Sequence, residues 1–233
     1  RDAAKAEAAR RTIAEQTGSE RIEVLLADLS SLSRTRDLAE QVRATTDELH
    51  ALVNNAGIAG PPRTLTEDGH ELHFAVNYLS HFLLTDELLP LLERSAPARI
   101  VNVTSIGQAP IDFDDPMLER AYDPMRAYAQ SKLAQISSTF ELAERLGDSR
   151  VTVNALHPAT LMDTKMVRDY FGMPRTSVDE GTQATLRLVT DPDLDGVTGR
   201  YFDGLRESRA HRQAYKPRAR RRLWELSERL TGA

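Results

Sequence analysis

The chain contains no cysteine, which excludes disulfides and thiolate metal sites and fits a reducing compartment. It also lacks any apolar run near the roughly 18 residues that a membrane-spanning helix needs. Nothing at its start reads as a signal peptide. Neither sign of charge dominates: 30 Lys and Arg stand against 35 Asp and Glu, a net charge of -5, which argues against a general nucleic-acid role. Internal repeats, low-complexity tracts and a second domain are likewise missing. These absences lead to the expectation of a single domain over residues 1–233, cytoplasmic, with neither membrane nor nucleic acid as partner. What is present is ordinary: 233 residues, 40% hydrophobic and 28% charged, enough for one α/β core.

The order of segments implies a fold class. Arg1 to Thr17 is rich in Ala, Glu and Arg and stops at Gly18, a helix C-terminal glycine. Ile22, Val24, Leu25 and Leu26, ending at Asp28-Leu29, predict a buried strand. Ser30 or Ser31 caps a helix running to about Thr46. Leu49 to Val53 predicts a second strand, and Thr66 to Glu93 one long helix with Leu72, Val76, Leu79 and Leu83 at helical spacing. Arg99 to Thr104 predicts a third strand. Asp123-Pro124 starts a helix that ends at Gly147, and Val151 to Leu156 predicts a fourth strand. Helices near 163–171 and 178–190, a short strand at 200–202 and a terminal helix after Pro217 complete the chain. Strands alternating with helices imply a Rossmann-like doubly wound α/β fold, a parallel sheet covered on both faces. Ligands in such sheets bind beyond the strands' carboxyl ends, here Asp28, Asn54 to Gly57, Ser105 and the stretch after Leu156.

Several of these residues carry usable chemistry. Tyr128 and Lys132 lie four apart on one helix and share a face. An ammonium beside a phenol favours the phenolate, so a lowered tyrosine pKa is expected, suited to proton transfer. Ser105, past a strand end, can hydrogen-bond a substrate carbonyl or cap local backbone as a turn hydroxyl. A nucleophile elbow is excluded, because Val103-Thr104-Ser105-Ile106-Gly107 has no glycine two residues before the serine. Asn77, a poor helix former in mid-helix, is either a tolerated surface residue or one that points inward to hold water, with a distorted turn.

In combination these motifs resemble the short-chain dehydrogenase/reductase family. The resemblance rests on Asn54-Asn55-Ala56-Gly57, Asn77, Ser105 and Tyr128-Ala-Gln-Ser-Lys132, in that order. It extends to Asp28-Leu29, Val151-Thr-Val-Asn154, His157-Pro158 and Gly199-Arg-Tyr-Phe202. Ile111-Asp-Phe-Asp114 resembles the retinol-dehydrogenase-like branch. The resemblance implies hydride exchange between NADP, or NAD, and a small-molecule carbonyl or alcohol. It makes Tyr128 the proton donor or acceptor, Lys132 the partner of the nicotinamide ribose, Ser105 the residue orienting the carbonyl, and Asn77 the holder of a relay water. Asp28 and Leu29 would meet the adenine; Asn54, Ala56 and Gly57 would shape the cofactor wall. Pro158 and Thr160, with Thr164 nearby, would lie at the nicotinamide amide. A homodimer through the Tyr128 helix would suit the family.

The sequence also departs from the family. A strand, a glycine-rich turn and a helix N-terminus for the pyrophosphate are expected at the start and are not in this sequence. Arg1-Asp2 instead resembles the segment after the family's second strand, so roughly 30 or more residues of a βαβ unit are expected to be missing. Arg1 could then face a 2′-phosphate, favouring NADP. The competing reading is a non-catalytic scaffold unable to bind cofactor. Ala159 replaces the glycine common after the proline. Leu161, Met162, Met166, Val167, Tyr170, Phe171 and Met173 form an apolar stretch, either core or an adaptable lid over a lipophilic substrate. His70-Glu71-Leu72-His73 is one residue short of a zinc helix motif. Asp112, Asp114 and Asp115 lack calcium-loop spacing. The basic run Lys216 to Arg222 reads as a solvated helix start.

Overall fold

The computed structural model describes residues 2–233. Five strands form one sheet in the order β1-β2-β3-β4-β5. β1 (Ala51–Asn54), β2 (Ala98–Val103), β3 (Val151–His157) and β4 (Tyr201–Asp203) are parallel, and β5 (Arg206–Ser208) returns antiparallel beside β4. Capping chemistry sets the helix starts. Asp2 caps α1 (Ala3–Thr17), which ends at left-handed Gly18; Ser31 caps α2 (Leu32–Thr45); Asp123 before Pro124 caps α5 (Pro124–Leu146). A full capping box, Ser177 with Glu180, opens α7 (Val178–Thr190).

One face of the sheet carries the main core, where Ile100, Val151 and Val153 meet Leu83, Leu91, Leu133 and Ile136 from the helices. On the other face Val101, Val103, Leu156 and Phe202 pack against Ala184 and Leu188 of α7. β3 is buried along its whole length, as a central parallel strand must be. The terminal helix α8 (Pro217–Thr231) packs along α5. Its Arg220 turns inward, 5% exposed, and pairs with Glu141 and Glu144. The basic run is therefore not wholly solvated.

Two expectations are corrected. Residues 18–28 form no strand; Leu26 is 41% exposed. An apolar run becomes a strand only where a neighbour supplies ladder bonds, and none of the described strands flanks this one. The single helix expected over 66–93 is instead a turn followed by three segments. Thr66 N donates to His70 O (2.9 Å), Leu65 bridges Glu71, and the Glu71 carboxylate caps Phe74 N (2.9 Å). From there run α3 (Leu72–Phe74), a π-helical turn (Ala75–Leu79) and α4 (Ser80–Arg94). β5 was not anticipated. Arg1 and its expected phosphate contact lie outside the described residues. Among those residues no helix is long and apolar enough to cross a membrane.

Candidate active site

A cleft of about 650 Å³ opens beyond the carboxyl ends of β1, β2 and β3. The loop after β1 brings Asn55, Ala56 and Gly57, the end of β2 brings Ser105, α5 brings Tyr128 and Lys132, and the loop after β3 brings Pro158 and Thr160. Tyr128 is 9% exposed, Ser105 8% and Lys132 4%.

The side chains of Ser105 and Tyr128 share the cleft wall, and the serine hydroxyl is near enough to favour the phenolate. The Ser105 hydroxyl accepts from Gly107 N (3.0 Å), the local backbone bond of a turn hydroxyl. Tyr201 of β4 fastens this corner by donating to Ser105 O (3.2 Å). Lys132 lies behind Tyr128, its Nζ 5.8 Å from the ring centroid. That amine donates to Val103 O (3.0 Å) and Gln135 Oε1 (2.9 Å).

Asn77 points inward and is fully buried. Its Oδ1 accepts from Ile58 N (2.8 Å), and its Nδ2 donates to Ile58 O (3.0 Å) and Ser131 Oγ (2.9 Å). The π-helical turn thus presents an asparagine that ties the loop after β1 to α5. A Cβ on Gly57 would lie 3.3 Å from Asn77 Oδ1 and 3.5 Å from Lys132 Nζ, so glycine leaves the amine's cleft side open.

The electrostatics differ from the expected depressed tyrosine. Burial raises the Tyr128 pKa, against a smaller lowering by Ser105, and burial pushes Lys132 down to about 7. Desolvation disfavours both charged forms, and at this separation a half-discharged amine cannot offset it for the phenol. His157, whose Nε2 lies 3.0 Å from Thr160 Oγ1, is lowered by burial against Asp203.

Asp28, Leu29 and Asn54 do not line the cleft. Asp28 accepts from Ser30 N (3.0 Å) and Ser30 Oγ (2.7 Å). Asn54 is buried in the sheet, donating to Thr85 Oγ1 (3.0 Å) and Asn102 Oδ1 (2.8 Å). Sequence reasoning missed Met125 and Ala129, which do line it, as does Asn55 from the stretch that reasoning had placed at the strand end. Met125 lies three residues before Tyr128 and four before Ala129, a helical spacing that was a usable signal. His73 Nδ1 contacts Glu71 Oε1 (2.8 Å), and among the described residues no three metal-binding side chains converge.

A lid folds over this opening. Phe171, after α6 (Lys165–Tyr170), meets the Tyr128 ring edge-on at 5.7 Å between centroids. The Tyr170 ring lies on Gly60, where a Cβ would come within 1.9 Å of it and where φ is +86°. Leu161, with φ +54°, begins the lid from a backbone conformation that side chains disfavour.

A serine–tyrosine pair in front of a buried amine, at the carboxyl ends of a parallel sheet, defines an oxidoreductase of carbonyls and alcohols on a dinucleotide-binding scaffold. Comparison with known proteins gives the family. A profile of the short chain dehydrogenase family matches residues 1–174, and the chain belongs to that family. It moves hydride between NAD(P)(H) and a carbonyl or alcohol. Retinol dehydrogenase 13 of Mus musculus is 39% identical over 249 residues, covering all of this chain and 75% of the relative. A crystal structure of an uncharacterised Mycobacterium paratuberculosis protein superposes with a TM-score of 0.77 at 31% identity, over all of this chain and 82% of that one. The Pseudomonas aeruginosa RhlG/NADP active-site complex gives a TM-score of 0.64 at 26% identity, over 85% of this chain and 81% of that one.

The residues present fit the nicotinamide-ribose side of such a cofactor: an amine with one side open, an uncrowded glycine backbone and the loop after β3 share one cleft. No glycine-rich turn for a pyrophosphate occurs in the sequence.

Proposed function

We propose that this chain is a retinol-dehydrogenase-like reductase of lipophilic carbonyl compounds, with NADP as its preferred cofactor. The observation that carries the reading is Tyr128, set with Ser105 and Lys132 in the wall of one apolar cleft and kept protonated by burial. A neutral phenol is the form a general acid needs for carbonyl reduction. When bound, the nicotinamide supplies the hydride. Tyr128 delivers the proton to the carbonyl oxygen, Ser105 orients that oxygen, and Lys132 holds the ribose side. Asn77 fixes the loop carrying Ala56 and Gly57 and holds a relay water. Pro158 and Thr160 face the amide side, while Asp28 and Leu29 meet the adenine side from outside this cleft, and Asn54 braces the end of β1 from within the sheet.

The substrate class is supported by Met162, Met166, Val167 and Phe171 lining the cleft, and by the name of the mouse relative. NADP is supported by the cofactor in the Pseudomonas complex. The reading treats 1–233 as one domain in the cytoplasm, with neither nucleic acid nor membrane as partner. A homodimer through the Tyr128 helix would rest on the helix ends, since its middle from Ser131 to Ser137 is buried in the chain itself.

Calorimetric titration of NADPH, then NADH, into the chain is the first test, followed by reduction of bulky apolar and small polar ketones. Saturable NADPH binding with preference for the apolar ketones is expected. A folded chain that binds neither nucleotide would instead be a scaffold without catalysis. Equal turnover of both ketone types would remove the lipophilic substrate.

A further inference from the structure

Lys132 is held from behind by a second layer of buried polar side chains. Beyond its bond to Gln135 Oε1, Gln135 Nε2 lies 2.8 Å from His81 Nδ1. Gln135 is 2% exposed and His81 4%. Chemistry sets the direction of this chain. The amine donates to two acceptors, so Gln135 turns its carbonyl oxygen to Lys132 and its NH₂ to His81. His81 Nδ1 must then accept, which leaves the imidazole proton on Nε2. Among the described residues that nitrogen has no hydrogen-bond partner. His81 borders a cavity of about 30 Å³, also lined by Thr85, Asp86 and Asn102, roomy enough for a bound water. The competing arrangement is an Nδ1–H turned to the Asn77 backbone carbonyl, which also faces the ring.

We propose that Gln135 and His81 are positioning residues for Lys132. Together they fix the amine against β2 with its remaining valence toward Gly57 and the cleft, and a buried water on His81 Nε2 anchors the far end. A lysine stem is flexible, with about 2 kcal/mol of rotamer entropy. Two fixed acceptors hold the amine in one place before any cofactor arrives. The role of Lys132 rests on the function proposed above; the direction of the hydrogen-bond chain does not.

The test has two arms. Long-range ¹H–¹⁵N correlation spectra of the histidine rings, recorded on the chain without cofactor, read the His81 tautomer. Wild type should show Nε2–H, and Gln135→Glu, which puts an acceptor where the NH₂ stood, should switch it to Nδ1–H. A wild-type Nδ1–H, or a tautomer that ignores the Glu substitution, overturns the proposal. In ketone reduction, His81→Leu should lower kcat by about tenfold or more with KM within about threefold, and His81→Asn, which keeps an acceptor at the Nδ1 position, should recover most of the loss. Equal kcat in all folded variants also overturns it. Gln135→Leu replaces His81→Leu if the latter does not fold. A wild type without turnover counts against the oxidoreductase reading, while the tautomer still decides the chain.

Discussion

Replacing Lys132 by methionine should stabilise the protein near neutral pH while destroying the site. The folded-state pKa of Lys132 is lowered from 10.5 to about 7 by burial. At about 1.4 kcal/mol per unit, holding the ammonium inside costs roughly 4 kcal/mol at pH 7. Methionine fills a similar volume without charge. Against that gain, Val103 O and Gln135 Oε1 lose a donor, at about 1–3 kcal/mol for acceptors left unpaired. The net expectation is about 2 kcal/mol of stabilisation, a Tm rise of roughly 4–8 °C for a chain of this size. The sign with pH is the sharper test. Between the folded and unfolded pKa values the unfolded chain binds the extra proton, so wild-type stability rises with pH across about 7 to 10.5. The Met variant lacks this contribution, so its advantage should shrink and reverse near about pH 9. Tyr128, whose pKa is raised, adds nothing until above the free tyrosine value near 10. Urea unfolding of both proteins at several pH values from about 7 to 9.5 measures the gap. A gap that does not change with pH, or a variant less stable at pH 7, would mean that the amine is not desolvated as argued.

Other substitutions probe the rest of the site. Tyr128→Phe should cut ketone reduction by about 100- to 10,000-fold and leave the calorimetric nucleotide affinity unchanged; surviving turnover would assign the proton donor elsewhere. Gly60→Ala meets both a positive φ and the Tyr170 ring, so it should cost about 1 kcal/mol or more and loosen the lid. Faster protease cleavage near residues 165–173 would report that loosening, and unchanged cleavage would count against the latch. His81, pushed down to about 3 by burial, folds neutral, so stability should fall with pH through the window from 6.5 toward 3, where the unfolded chain takes the proton. His81→Asn should flatten that acid limb in urea titrations, and an unchanged limb would deny His81 its share of acid lability.

The parts of this architecture that depend on local sequence were legible. Gly18, Ser31 and Asp123-Pro124 mark helix ends by residue type alone, and each helix begins or ends there. Strands β1 to β4 fall within a residue or two of their apolar runs. What was not legible depends on neighbours. The run at 22–26 has a strand's composition but, among the described residues, no flanking strand to bond. The π-helical turn exists because Asn77 reaches Ile58 and Ser131, contacts 19 and 54 residues away. No periodicity within the helix announces such contacts.

The same division runs through the active site. Spacing of four residues correctly places Tyr128 and Lys132 on one face, but proximity does not fix protonation. That depends on how much water each group loses, and both are buried under Phe171, Val103 and the lid. The expected charge-assisted phenolate gives way to a neutral phenol over an amine poised near neutrality. Such a pair is ready to donate a proton to a carbonyl, whereas taking one from an alcohol requires the phenol to ionise against its burial. Desolvation, a property of the covering segment and the packed sheet, therefore biases Tyr128 toward the neutral form that the proposed reduction uses. Opening the lid should weaken that bias by letting water back to Tyr128, lowering its pKa toward the free value. Ultraviolet titration of tyrosinate absorbance in Gly60→Ala against wild type reads this shift, and equal Tyr128 midpoints would place the cause of the raised pKa in the walls beneath the lid.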